Sequence, residues 1–388
     1  MKIKRDSYLL RGIVLVIGII AFSGALIFAN HDRFSRETDP NTFIEFETGR
    51  IVEIIEDNTF MDEIDPELRL GRMLFRIEML NGHYEGEEIE VQHFFSSLAS
   101  IYFDVGDRVS VRTNTLDGRL VNAEIHNVER TEVIIGLVIV FLVVLSLIGG
   151  KRGVMSVLGL VFTMISIVFL LIPLMLRGYP VILTTIGILS LVTVVILILL
   201  GGITPKTVSA ILGCIIGVIC AAIIASIAGN LTFISGFNME DIGTLLFAVE
   251  RNGLALHPSG LFISGVLIAS LGAVMDTSIS ITSAMEEIQL AHPEIDSKQL
   301  FKSGMNIGRD AMGTMSNTLI LAFAGTALNL MMFVYADGTP FNQLINNDFI
   351  VVELVRSIAG SLGIVLTVPT VAFIGSKMFI LWKSEKKS

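Results

Sequence analysis

Residues 259–288 read SGLFISGVLIASLGAVMDTSISITSAMEEI. The first half is apolar enough for lipid. The second half carries an aspartate, a row of hydroxyls and two glutamates, and no glycine or proline marks the change. Spacing resolves the conflict. Gly265, Ala269, Gly272, Asp276, Ser280, Ser283 and Glu287 follow in steps of three and four, which is one face of one helix. The helix is therefore expected to run on past Asp276 and to end near Pro293, in HPEIDS. Small residues on a membrane helix let a neighbour approach closely. From Ser259 to Asp276 is roughly 25 Å of rise, against a hydrocarbon layer of about 30 Å. Asp276 is thus placed near the inner boundary, either as a functional carboxylate or as a structural ion pair or cap.

The next apolar segment repeats the pattern. Asn306, Asp310, Gly313, Asn317, Leu321 and Ala324 share a face, Arg309 adds a cation, and Gly304 and Gly308 form a small-xxx-small pair. The two segments are expected to form an antiparallel hairpin with these faces turned to each other. Asp276, Thr277, Ser280, Asn306, Arg309, Asp310 and Asn317 are the candidate ligand- or ion-binding residues.

Working outward, the chain of 388 residues is 52% hydrophobic and 16% charged, with mean hydropathy +0.74. A spanning helix needs about 20 apolar residues. Eight segments qualify: 9–29, 133–149, 153–176, 181–203, 207–228, 260–277, 313–335 and 358–381. Basic residues near span ends favour the cytoplasm. Lys2, Lys4, Arg5 and Arg11 put the N-terminus inside. Lys151 and Arg152, then Lys206, then Lys298, Lys302 and Arg309, and finally the KSEKKS tail all fall inside with eight crossings. Arg177 and Arg356 are the outer exceptions. Span one is longer than a signal-peptide core and FAN (28–30) is a poor cleavage site, which favours an uncleaved anchor.

The charges gather in residues 31–132, which account for the chain's net −10, the rest of the chain being slightly basic. This acidic segment lies outside. FIEFETGRIVEIIED, RMLFRIEML, EEIEVQHF, GDRVSVRTN and GRLVNAEIHNV read as strands, with Asp117-Gly118 as a hairpin turn. About five strands in so short a length predict a small barrel of OB or SH3 type, for docking, gating or structure. The acidic balance argues against nucleic acid. His83, His93 and His126 lack metal-ligand spacing and read as packing residues. Cys214 and Cys220 lie six apart in one apolar run, so neither a disulfide nor a metal site is expected.

The division is therefore a cytoplasmic start (1–8), an anchor helix (9–29), an extracytoplasmic β domain (30–132), a seven-helix membrane domain (133–383) and a cytoplasmic tail (384–388). Between spans five and six, Asn230–His257 is too polar to cross. Its apolar part, Ile242–Val249, followed by Glu250 and Arg251, reads as an interfacial or re-entrant helix. Asn230, Glu250, Arg251 and Arg356 are outer-side polar candidates, and Glu353 stands at i, i+3 spacing to Arg356. Asn230-Leu-Thr232 matches a glycosylation acceptor, a pattern short enough to arise by chance. KRGVMSVLGL (151–160) and PKTVSAILGC (205–214) align faintly as a repeat, a feature of transporters.

Residues 259–288, GRDAMGTMSNTLILAFAGTALNLMM (308–332) and ELVRSIAGSLGIVLTVPTVAFIG (353–375) resemble the YibE/F-like family of bacterial multi-pass membrane proteins, over about 130–383. The anchor and outer domain resemble its YibE-type members. The resemblance implies a bacterial plasma membrane, Gram-positive, and a YibF-type paralogous partner; a homo-oligomer is the other arrangement considered. It supplies no activity and no cofactor.

Three functions are weighed. A transporter or permease component uses the two polar faces, with Asp276 binding a proton or cation and Arg309 holding it at rest. A scaffold or assembly partner acts through the β domain. An intramembrane aspartyl protease would pair Asp276 with Asp310, but NIGR precedes Asp310 where Gly-x-Gly is expected, and Arg309 would keep both carboxylates ionised. HExxH, GxSxG and Walker strings are missing, so no enzyme is expected.

Overall fold

The computed structural model describes residues 22–31, 42–66, 68–96, 101–116, 119–239 and 241–387. The stretch 9–21 of the expected first span, the four basic residues before it or within it, and the Asp117-Gly118 turn lie outside the described residues. The chain divides into two compact units, Ser35–Val144 and Met1–Phe34 with Leu145–Ser388.

The first unit holds five antiparallel strands: β1 (Thr42–Met61), β2 (Arg69–Met79), β3 (Glu88–Phe95), β4 (Arg108–Leu116) and β5 (Arg119–Val128). Their order is β3-β2-β1-β4-β5, and β3 also approaches β5, so the sheet nearly closes into the expected small barrel. The first strand serves two partners. Its first half pairs with β4 and its second half with β2, and bulges between Ile51 and Glu53 and between Ile54 and Glu56 bend it from one to the other. Alternation on β2 buries Met73, Phe75, Ile77 and Met79 against Val91, Val109, Val111 and Ile125. Leu116 pairs with Arg119, as the short β4–β5 hairpin requires.

The second unit is helical. Residues 22–30 form α1. Then come α2 (Thr131–Ser166), a π-helical turn (Ile167–Leu171), α3 (Ile172–Leu176), α4 (Val181–Gly201) and α5 (Pro205–Leu231). They are followed by α6 (Ile242–Arg251), α7 (Leu261–Ala291), α8 (Ser297–Thr326), α9 (Leu328–Ala336), α10 (Phe341–Leu344) and α11 (Asp348–Lys387). Among the described residues, five helical stretches are long and apolar enough to cross a membrane, or six if α8 and α9 form one bent span.

Spans two and three appear as one stretch of 46 residues, but it is not straight. Gly150 sits at φ 55, ψ −135. A methyl placed on Gly153 would fall 2.2 Å from the Leu145 carbonyl oxygen. On a straight helix residues eight apart are about 12 Å distant, so the rod is broken at Gly150, where the sequence separates the two spans.

Proline has a visible effect in the next turn. In α-helical register the Phe169 carbonyl would accept from residue 173, and Pro173 has no N–H. The helix widens to a π turn there, and the Asn30 side-chain amide donates to the Phe169 carbonyl at 2.7 Å. Phe22 stacks near Phe162 at 4.8 Å, so α1 is seated along this helix.

The core is organised by α11, which packs on α5, α7 and α8. Gly213 and Gly217 of α5 meet Val371 and Thr367 of α11, and Gly308 of α8 meets Val368. The aligned glycines of the faint repeat, Gly159 and Gly213, are both buried against a neighbouring helix. The seventh expected span differs from its sequence reading. It is not one rod: α8 and α9 meet at a bend of 59°. Gly325 weakens the helix there, and the Thr326 hydroxyl turns back to the Phe323 carbonyl at 2.8 Å.

Candidate functional site

The α7 helix is unbroken from Leu261 to Ala291 and stops at His292, before Pro293, as its spacing predicts. Its apolar arc is buried: Val266, Leu267, Val274, Ile281 and Met285 are all fully covered. The arc opposite holds Ala269, Gly272, Asp276, Ser280 and Glu287, and all five are exposed. Thr277 lies on the buried side, its hydroxyl donating to the Ala273 carbonyl at 2.8 Å. Asp276 has no hydrogen bond or ion pair among the described residues.

The α8 helix behaves alike. Leu300, Gly304, Gly308 and Leu319 are buried, while Asn306, Arg309, Asp310, Gly313 and Asn317 are exposed. Arg309 donates to the Asn306 carboxamide oxygen at 3.3 Å, within its own helix. Asp310 and Asn317 have no hydrogen-bonding partner among the described residues.

The expected juxtaposition of the two polar faces is therefore corrected. The contact between α7 and α8 is made by Ile281 and Met285 against Leu300, Gly304 and Gly308. Apolar area chose the contact, because burying it is favourable and burying unpaired carboxylates is not. Both polar stripes are left outside it, and no hydrogen bond joins Asp276 to Arg309 or Asp310.

Of the other candidates, Arg356 is the one built into the packing. Its guanidinium donates to Glu353 at 2.5 Å, as the i, i+3 spacing anticipates. It also lies beside Gly265 of α7 and 5.9 Å from the Phe323 ring centroid of α8. Glu353 Oε2, Arg356 Nε and Ser316 Oγ are buried without a partner in the described structure. Asn230, Glu250 and Arg251 are exposed. The α6 helix forms over the predicted apolar stretch and leaves Phe247 67% exposed.

Sequence reading missed two ties. Lys206 at the start of α5 pairs with Glu286 of α7 at 3.5 Å, and the Asn238 amide donates to Asp348 at the start of α11 at 2.9 Å. Both link residues far apart in the chain, for which spacing carries no signal.

In the β unit, His93 lies edge-on to Phe95 and Phe103 and is hydrogen-bonded to the Ile125 backbone of β5. It therefore bridges the seam between β3 and β5. Burial holds its pKa below the ordinary histidine value, partly offset by that bond. His83 and His126 pack on Tyr84 and Phe46. No group of three His, Cys, Asp or Glu side chains among the described residues is placed to hold a metal ion.

No curated protein and no solved structure matches the chain. The profile of the YibE/F-like protein family matches residues 137–380. That span is well over half of the sequence and takes in α7, α8 and most of α11, so the polar stripes sit on the family's own helices: the chain belongs to the YibE/F-like protein family.

Proposed function

We propose that the protein is a permease component of the bacterial plasma membrane, with the polar stripes of α7 and α8 bordering the solute path. One observation carries this. Asp276, Asp310 and Asn317 are exposed, lack partners, and stand on helices that meet the length and composition of spans, alone or as a bent pair. Carboxylates and amides against acyl chains are costly, so these faces border water or protein.

The topology that fits has eight crossings, both termini in the cytoplasm and the β domain outside. The 46-residue stretch ending at Leu176 would be about 69 Å long if straight, more than twice the hydrocarbon layer. Its break at Gly150 supports reading it as two crossings.

In this reading Asp276 binds a proton or cation near the inner boundary. In proteoliposomes driven by a potassium–valinomycin potential, the wild type dissipates an imposed proton or sodium gradient and Asp276→Asn slows it at least tenfold. Equal rates in the two proteins would remove Asp276 from the mechanism. A second reading, assembly through the β domain, is favoured by Phe60, Met61 and Ile64 near the β1–β2 turn, 61%, 52% and 95% exposed. Deleting 41–128 separates the two: a scaffold loses all function, while a permease keeps residual flux.

A further inference from the structure

We infer that the polar stripe of α8 pairs with the same stripe of a second copy, as a parallel two-fold contact within the membrane. The inference goes beyond the permease reading and shares with it only the proposed membrane topology.

The argument starts from Asn317. It lies eight residues beyond Arg309, the last cation of α8, and so about 12 Å along the helix from it. With the proposed span beginning at Gly313, Asn317 is about 6 Å inside the hydrocarbon. Its carboxamide is exposed and without a partner among the described residues. One turn before it, Gly313 is exposed and a methyl there would touch nothing. One turn earlier again come Asp310 and Arg309, both exposed. The buried line of α8, through Gly304, Gly308 and Leu319, is on another side of the helix and is already occupied by α7 and α11.

The stripe asks for an occupant with hydrogen-bonding groups. The α2 segment from Val133 to Leu145 carries no polar side chain and would leave the amide unpaired. A second copy fits by symmetry. Two copies in one membrane share an orientation, so a two-fold axis runs along the membrane normal and sets like residue against like. Asparagine is self-complementary: each amide donates to the other's carbonyl oxygen. Gly313 lets the backbones approach. Arg309 of one copy meets Asp310 of the other, which offsets the like charges brought together. The steps 306, 310, 313, 317 alternate four and three, the period at which two helices stay in contact.

The test is cross-linking in native membranes. Cys214→Ala and Cys220→Ala give a cysteine-free background. Gly313→Cys, Leu321→Cys and Ala322→Cys are then oxidised with copper phenanthroline. Leu321 lies one turn beyond Asn317 on the stripe, and Ala322 is exposed on the opposite side of α8. Expected is a product of twice the chain's mass at Gly313→Cys and Leu321→Cys, at least fivefold above Ala322→Cys. Adding Asn317→Leu to Gly313→Cys should cut the product several-fold. Monomer throughout, equal yield at Ala322→Cys, or cross-links solely to a chain of different mass would each overturn the pairing. The assay reads association and not flux, so its failure is distinct from that of the permease reading.

Discussion

At the scale of single residues, histidine and arginine give the sharpest expectations. His93 has its pKa lowered by burial, and the unfolded chain has no such penalty. Between the folded value and about 6.5 the unfolded state binds the proton more readily. The seam it bridges therefore keeps its stability above about pH 6.5 and loses it as the pH falls below. After correction for the slower intrinsic exchange at the lower pH, amides of 88–128 in the full-length protein should be less protected at pH 5.5 than at 7.5, and His93→Phe should flatten the difference. Unchanged protection in the wild type would show that the bridge carries no weight. The Glu353–Arg356 pair makes a different prediction. Its side chains are 25% and 17% exposed, so removing one partner strands the other. Glu353→Ala should destabilise the detergent-solubilised protein by up to about 3 kcal/mol, and Glu353→Leu with Arg356→Met should recover most of it. A double variant as unstable as the single one would contradict this account.

Between elements, glycine position decides how near two helices come. A methyl on Gly308 would lie 2.2 Å from Val368 Cγ1. Gly308→Val should therefore force α8 away from α11 at about 1–3 kcal/mol, visible as a lower unfolding midpoint in detergent. Gly313→Val, five residues on, meets open space and should leave that midpoint unchanged while weakening the cross-link between copies. Equal midpoints for both variants would refute the assignment of faces. The length of α7, its end before Pro293, the amphipathic α6 and the five strands were all legible, because periodicity and turn chemistry act locally. Which face of α7 met α8 was not. The stripe Gly272, Asp276 and Ser280 is small enough for a helix contact, but Ile281 and Met285 bury more apolar area, and that comparison needs the partner. The bend at Ala327 was hidden for a similar reason: Gly325 and Thr326 are ordinary in an apolar helix, and their effect depends on what surrounds them.

For the whole molecule, the proposed eight crossings put successive loops on alternate sides of the membrane. A cysteine at Asn238 should react with an impermeant maleimide from outside, and one at Asp296 only after the cytoplasmic side is opened. Labelling of both from one side would change the number of crossings between them. The seating of α1 has a further consequence, for biogenesis. The helix that carries Asn30 emerges from the ribosome well over a hundred residues before the carbonyl it serves, and the whole barrel is made in between. In the proposed topology the clasp closes only after export of the barrel has begun and the hairpin around Gly150 has inserted. Assembly in that topology is ordered in time, with α1 among the last helices to find its berth.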